Sequence, residues 1–200
     1  RNMIILKQDG ELTLINAVRI SEPELEKLNN LGQIKHVIRL GDFHGLDDQF
    51  YIDHYQATLW SQSCHVNYPN LVPHQIIQAD QRPPIKNSEF FIFEQVTCPE
   101  AILFIKDKKL LITTDSIQYW NDWKYFSFLG KVVMYLMGFR LGLFIGGPWL
   151  KRVTPKQGSL KSDFTRLLEL DFQHLVAAHG VLLKDSAKDK LRLLINNLKI

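Results

Sequence analysis

Three short apolar runs, each followed by an acid or a histidine, constrain the fold of this chain most strongly. The run "HVIRL" (36–40) leads into the loop "GDFHGLDD" (41–48), "KLLITT" (109–114) leads into Asp115, and "LVAA" (175–178) leads into His179. A short apolar run bounded by turn residues is typical of a buried strand. Polar groups just past buried strands are well placed to converge on one side of a sheet, so we expect these three points to meet there.

Each of these polar points also has a purely structural interpretation. Asp47 or Asp48 can cap a helix that begins there, because a carboxylate accepts hydrogen bonds from free amides of the first turn. Asp115 can begin a turn, and His179 can bond a backbone carbonyl. The sequence alone leaves both interpretations open for each residue.

Strand and helix patterns alternate along the rest of the chain. Asp9-Gly10 predicts a hairpin turn between strands at 3–6 and 12–15, and Ser21 with Glu24 predicts a capped helix. Further strands are predicted at 56–60, 89–96 and 101–105, a long loop at 61–88, and helices at 159–170 and at the end of the chain. This mixture favours a layered α/β or α+β architecture, and 200 residues fit one domain spanning 1–200.

The most apolar segment is "FSFLGKVVMYLMGFRLGLFIGGPWL" (126–150). Lys131 and Arg140 interrupt it, and charges at the centre of a bilayer are costly, so we expect no transmembrane span. The pattern predicts a buried helix or helical hairpin. The alternatives are a lid, a homodimer face or a contact with a membrane surface.

Charge and cysteine content exclude several classes of function. The formal net charge is +3 without a long basic run, so we expect no nucleic-acid partner. Cys64 and Cys98 form no CxxC pair, which argues against a zinc ribbon and predicts two reduced thiols. Residues 1–20 lack the pattern of a secretory signal, and we therefore expect a cytoplasmic location.

Several motifs together resemble the metallo-β-lactamase-fold hydrolases. "CPEAILFIKDKKLLITTD" (98–115) is similar to the family segment in which a Thr-Pro-Gly-Ser turn leads through two strands to Phe-Thr-Gly-Asp. "LVAAHG" (175–180) resembles the terminal His-Gly, and "LGDFHGLDDQF" (40–50) falls where the family carries His-x-His-x-Asp-His. The resemblance implies an α+β fold, a four-layer αββα sandwich with metal bound at one edge of its two sheets.

The metal-ligand motif is degenerate in this chain. By the resemblance, Asp42 stands for the first histidine, His44 for the second, and Thr97 for the middle histidine. The resemblance implies a catalytic role for Asp47 and the metal ligands His44, Asp47, Asp48, Asp115 and His179. The outer or alternative ligands implied are Asp42, His54 and Thr97.

Electrostatics restricts what such an acidic loop can do. Carboxylates that converge in a dry pocket raise one another's pKa until one takes a proton. A bound cation, a neighbouring basic side chain, or exposure to water must therefore relieve the repulsion. The donor set suits one or two divalent ions, of zinc, iron or manganese, and loss of the metal is the alternative.

Two functions follow from this reading. The first is a divergent hydrolase that uses a metal-activated water on an unknown small-molecule ester, thioester, amide or phosphoester. The second is a non-catalytic relative that has lost its metal and acts as a binding or interaction protein.

Overall fold

A five-stranded sheet forms the first half of the chain. The computed structural model describes residues 1–63, 67–68 and 70–197, so Cys64 and His65 lie outside the described residues. The sheet has the order β1-β2-β3-β4-β5, in which β1 and β2 form an antiparallel hairpin and the other pairs are parallel. Its strands are β1 (Ile4–Gln8), β2 (Glu11–Ile15), β3 (Gln33–Ile38), β4 (Thr58–Ser61) and β5 (Gln75–Ile76). The helices α1 (Glu22–Leu31) and α2 (Asp48–Tyr55) connect β2 to β3 and β3 to β4.

The second half of the chain builds another sheet. Its order is β11-β8-β7-β6, with β8 and β11 parallel and the other pairs antiparallel. These strands are β6 (Ser88–Ile92), β7 (Ala101–Ile105), β8 (Leu110–Thr113) and β11 (His174–Ala177). A short antiparallel pair, β9 (Ile117–Trp120) and β10 (Gly142–Ile145), continues from β8. The remaining helices are α3 (Phe128–Leu136), α4 (Gly147–Val153), α5 (Lys161–Leu167) and α6 (Ala187–Asn197).

Three apolar clusters define four layers. Residues of β2, including Leu12 and Leu14, pack against α1 and α2, and the facing sides of the two sheets form a central cluster. The outer side of the second sheet packs against α4, α5 and α6. The sequence of β7 explains this two-sided packing. Ile102 and Phe104 face the helices, whereas Leu103 faces the other sheet. A strand covered on both sides needs apolar residues at every position. The αββα layering predicted from the sequence is confirmed.

Several local predictions are also confirmed. The Asp9-Gly10 turn closes the β1–β2 hairpin with positive φ at both residues, as the favoured two-residue turn requires. The capping box of α1 is present, with the Ser21 amide donating to Glu24 Oε2 at 3.1 Å. The predicted loop at 61–88 contains, among the described residues, the short β5 and the terminal residues Ser61 of β4 and Ser88 of β6.

The prediction of a buried helix at 126–150 is wrong. The segment forms α3, β10 and α4, and no side chain of α3 is buried. Leu136, for example, is 77% exposed. High hydropathy predicts burial only if another element covers the segment, and no described element covers the side chains of α3. A search of the described residues found no helix with the length and apolar content needed to cross a membrane.

Candidate metal centre

Three of the predicted side chains converge at one edge of the sandwich. His44 lies in the loop after β3, Asp115 follows β8, and His179 follows β11. One donor atom from each lies within 4.8 Å of the other two. The Asp115 Oδ2 atom is 2.9 Å from His44 Nε2, and Asp115 Oδ1 is 3.5 Å from His179 Nε2. The chain therefore presents two imidazoles and one carboxylate to a common point.

Strand register explains this convergence. Thr113 of β8 is aligned with Ala177 of β11 in a parallel pair. Asp115 and His179 each lie two residues beyond that pair, so both emerge at the same end of the second sheet. The loop that carries His44 is brought to this end from the first sheet, where the Ala101 amide donates to the Leu40 carbonyl at 2.7 Å. The expected meeting of polar residues at strand ends is confirmed for these three.

The donor atoms of this group fit a divalent ion. His44 is only 6% exposed, yet neither of its ring nitrogens has a hydrogen-bond partner among the described residues, and Asp115 Oδ2 also has none. The 2.9 Å approach of His44 Nε2 to that oxygen is thus not aligned as a hydrogen bond. Buried polar atoms are normally bonded, so unpartnered donors aimed at one point suggest a missing ligand. Two histidines with one carboxylate is a common set for zinc and non-haem iron.

The electrostatics of His179 also suit a metal ligand. Burial lowers the pKa of His179 to about 4, in spite of the nearby Asp115 carboxylate. The imidazole is consequently neutral near pH 7, and metals bind the neutral form. The following residue, Gly180, has a φ of 86°, and a Cβ there would clash with the Tyr119 carbonyl oxygen. Glycine is therefore required for the close approach that fixes the position of His179.

Glu100 stabilises the turn that contains Asp115 through hydrogen bonds to the residues on either side of it. Its Oε1 accepts hydrogen bonds from the Thr114 hydroxyl at 2.7 Å and the Ser116 amide at 3.2 Å. Its Oε2 accepts from Trp149 Nε1 at 2.8 Å. Burial, together with repulsion from Asp115, raises the pKa of Glu100 to about 8, although these three donors act in the opposite direction. Glu100 thus holds the segment on both sides of Asp115.

Sequence reasoning missed Glu100 and Trp149. A signal for Glu100 was present, because a glutamate stands directly before the fully apolar strand "AILFI" (101–105). A charged residue at the start of a buried strand needs partners inside the protein. Trp149 carried no comparable signal, because a tryptophan in an apolar segment is expected to be buried whether or not its indole donates a hydrogen bond.

Asp47 and Asp48 do not join the His44, Asp115 and His179 group. Asp47 occupies the N-cap position of α2, and its Oδ2 is 2.8 Å from the Arg1 guanidinium. Asp48, 1% exposed, lies 3.7 Å from Nε of Arg39, which is fully buried. Burial raises the pKa of Asp48 to about 7, against the attraction of Arg39. Each aspartate therefore lies beside a basic side chain, which is one of the outcomes expected from electrostatics.

The other predicted site residues, Asp42, Thr97 and His54, also make their contacts outside the group of His44, Asp115 and His179. Asp42 accepts hydrogen bonds from the Asn67 amide and from the Cys98 thiol. The Thr97 hydroxyl donates to the carbonyls of residues 152 and 153. His54 Nδ1 lies 3.0 Å from the carbonyl oxygen of Phe50, one turn earlier in α2. Of these residues, Asp42 lies in the loop that carries His44, but it faces a different set of partners.

A small apolar cavity opens at the three converging residues. Its volume is about 210 Å³. The side chains of His44, Asp115 and His179 form its polar wall, and Gln118 adds an amide that lies 3.4 Å from Asp115 Oδ1. The remaining wall is formed by Phe43, Phe139, Gly146, Pro148 and Trp149. The cavity therefore has one polar end, formed by the three candidate metal ligands and Gln118, and one apolar end.

Comparison with solved structures identifies the fold. No family model and no curated protein sequence matches this chain. A metallo-beta-lactamase from Pontibacter korlensis is 14% identical with a TM-score of 0.63, covering 98% of this chain and 87% of its own. The chemotaxis sensor ODP from T. denticola, in its apo state, is 12% identical with a TM-score of 0.65, covering 98% and 85%. The protein TTHA1623 in a di-iron-bound form is 10% identical with a TM-score of 0.63, covering 94% and 91%. The chain thus has a divergent form of the metallo-β-lactamase fold.

Proposed function

We propose that this metallo-β-lactamase-fold protein is a hydrolase that binds one divalent ion through His44, Asp115 and His179. The observation that carries the proposal is the convergence of these donor atoms within 4.8 Å, with the buried His44 nitrogens unpartnered among the described residues. The fold is shared with a metallo-beta-lactamase, which supports metal-dependent hydrolysis without identifying a substrate.

A single ion is proposed because Asp42 and Thr97, which stand at histidine positions of the family motif, are hydrogen-bonded to other parts of the chain. Asp42 is 3% exposed and bonded to Asn67 and Cys98, and it lies 3.8 Å from the Arg152 guanidinium. Thr97 offers a hydroxyl that already donates to backbone carbonyls. A second ion would have to displace these contacts and accept a poor donor set.

The chain's own residues prepare the site for such a reaction. A divalent ion at this place supplies acidity to a water molecule and polarises the bond to be cleaved. Gln118 and the Glu100 network hold the Asp115 carboxylate in a fixed orientation. His179 remains neutral near pH 7 because burial lowers its pKa to about 4. Phe139 and Trp149 reduce the access of bulk water, which strengthens electrostatic interactions in the cavity.

The cavity favours a short, uncharged acyl group as the part of the substrate that binds. Apart from the three candidate ligands and Gln118, its described lining contains aromatic and small side chains, and it contains no lysine or arginine that would neutralise a phosphate. At about 210 Å³ it is below the usual range for drug-sized ligands, which is several hundred Å³. An ester, thioester or amide of a small acyl group is therefore proposed over a phosphoester.

Iron and zinc are the ions proposed first. Two histidines and one carboxylate form the usual ligand set of non-haem iron enzymes and also occur at catalytic zinc sites. The solved relatives include a di-iron-bound protein and a peroxy diiron species of the sensor ODP. Manganese remains compatible with a carboxylate-containing set.

Hydrolysis is tested with protein freed of metal by chelation and then loaded with zinc, iron(II) or manganese. The substrates are p-nitrophenyl acetate, p-nitrophenyl butyrate and p-nitrophenyl phosphate. We expect metal-dependent cleavage of the acyl esters, reduced at least about tenfold in Asp115→Asn, because that change replaces the carboxylate ligand with a neutral amide that binds a cation more weakly. Asp47→Asn is the matched control, since it alters an aspartate outside the group, and it should keep full activity.

A non-catalytic binding protein is the second candidate. It is favoured by the hydrogen bonds of Asp42 and Thr97. These two residues stand where the family motif has histidines, and their side chains are bonded to other groups of the chain. If the metal-loaded protein cleaves every substrate no faster than Asp115→Asn, the hydrolase proposal fails for these substrates and the second candidate is supported.

A further inference from the structure

The exposed surface of residues 125–141, here called the α3 surface, stands apart from the rest of the fold. Phe128 is 85% exposed, and the other strongly exposed apolar side chains include Leu129, Tyr135, Leu136, Met137 and Leu141. Contiguous exposed apolar area of this kind usually marks a binding surface. The four layers of the fold do not need this helix, since none of its side chains is buried.

Both ends of helix α3 are nevertheless stabilised by hydrogen bonds. The Ser127 hydroxyl accepts the Gly130 amide at its N-terminus, and Arg140 donates to the Tyr135 and Phe139 carbonyls at its C-terminus. These contacts cap the free amides and carbonyls of the helix ends. A helix that is already formed binds without the entropic cost of ordering its backbone.

The distribution of charged residues around the α3 surface indicates the kind of partner that this surface would bind. From residue 123 to residue 162 the chain carries seven lysines and arginines and no aspartate or glutamate. The whole chain has a formal charge of only +3, so the remaining residues are net acidic. Lys124, Lys131 and Arg140, within and beside the α3 surface, are all exposed. An apolar helix flanked by exposed cations is typical of a segment that lies in the interface of an anionic membrane.

We propose that the α3 surface binds anionic lipid bilayers, with α3 lying in the plane of the interface. A second copy of the chain is the less favourable occupant. A two-fold dimer would place this surface against itself, and its own cations would then face one another. Lipid phosphates supply the opposite charge, and Tyr125 and Tyr135 suit the headgroup region, where aromatic rings with a polar tip are enriched. Because Phe139 also lines the metal cavity, lipid binding brings that cavity close to the bilayer.

The proposal is tested by sedimentation of the full chain with vesicles, and it does not depend on metal or on activity. We expect binding to vesicles of phosphatidylcholine with phosphatidylglycerol, much weaker binding to phosphatidylcholine alone, and a loss of affinity with added salt. Leu136→Glu should weaken binding at least about tenfold, because it removes an inserting apolar side chain. Lys131→Glu should weaken it at least about fivefold.

Two matched variants on α6 serve as controls. Leu193→Glu changes an exposed leucine, and Lys190→Glu reverses an exposed lysine, both outside the α3 surface. Both should bind vesicles as the unchanged protein does. The proposal is overturned by absence of vesicle binding, by equal binding with and without the anionic lipid, or by equal losses in the control variants. A concentration-dependent dimer that Leu136→Glu abolishes, without lipid binding, would instead assign the surface to a second copy.

Discussion

Replacement of Glu100 by glutamine should make the stability of the metal-free protein less dependent on pH. Glu100 is fully buried and its pKa is raised from 4.5 to about 8, first by burial and second by Asp115. The folded state therefore keeps a proton on Glu100 at pH values where the unfolded chain has released it. Under the linkage relation, the free energy of unfolding then falls as pH rises through this range.

The size of this effect follows from the two pKa values. From about pH 5 to about pH 7, Glu100 alone should lower the free energy of unfolding by about 2 to 3 kcal/mol. The glutamine variant lacks this titration. It carries a pH-independent cost of about 1 to 3 kcal/mol, because its amide nitrogen replaces an acceptor and leaves Trp149 Nε1 without one.

Urea denaturation at the two pH values measures both effects. Chelator is included, because a cation beside Asp115 would offset the repulsion that raises the pKa of Glu100. Asp48 has a raised pKa of about 7 and adds a pH dependence of the same sign, but it is present in both proteins and cancels in the comparison. Glu169→Gln replaces an exposed carboxyl and serves as the control. The reasoning is refuted if unchanged protein and Glu100→Gln lose the same stability between the two pH values.

Two further substitutions test the local geometry. Asp47→Asn removes a partly exposed ion pair with Arg1 and should lower the free energy of unfolding by less than about 1 kcal/mol; a loss of several kcal/mol in urea denaturation would contradict this. Gly180→Ala should cost about 2 kcal/mol or more, because φ is 86° and the new Cβ would meet the Tyr119 carbonyl. It should also weaken metal binding by displacing His179, and wild-type stability together with wild-type affinity would show that this approach does not constrain the histidine.

Local patterns in the sequence predicted the buried strands and the polar residues at their ends, whereas the four-layer arrangement was implied by the family resemblance. The fully apolar "AILFI" (101–105) requires cover on both faces, and Asp115 and His179 follow buried strands that are parallel neighbours. Parallel register then places the two residues at one end of the sheet. Such inferences need only the periodicity of apolar residues and the direction of each strand.

The orientation of the acidic loop could not be predicted in the same way. Which of His44, Asp47 and Asp48 faces the cavity depends on the turn that precedes α2 and on the side-chain partners of the two aspartates. Arg1 is 46 residues from Asp47 in sequence, so no local pattern indicates that pair. Arg39 comes just before the loop, but its position in the sequence does not show that its side chain lies beside Asp48. The exposure of α3 could not be predicted either. Hydropathy shows that a segment is apolar, but it does not show whether other parts of the chain cover that segment.

Metal binding measured by isothermal titration tests the central claim most directly. Chelator-treated protein is titrated with zinc, iron(II) and manganese, alongside Asp115→Asn and the Asp47→Asn control. We expect one ion per chain for at least one of these metals, binding that is at least about tenfold weaker in Asp115→Asn, and unchanged affinity in Asp47→Asn. Absence of binding for all three metals, or equal affinity in Asp115→Asn, would contradict a metal centre formed by His44, Asp115 and His179.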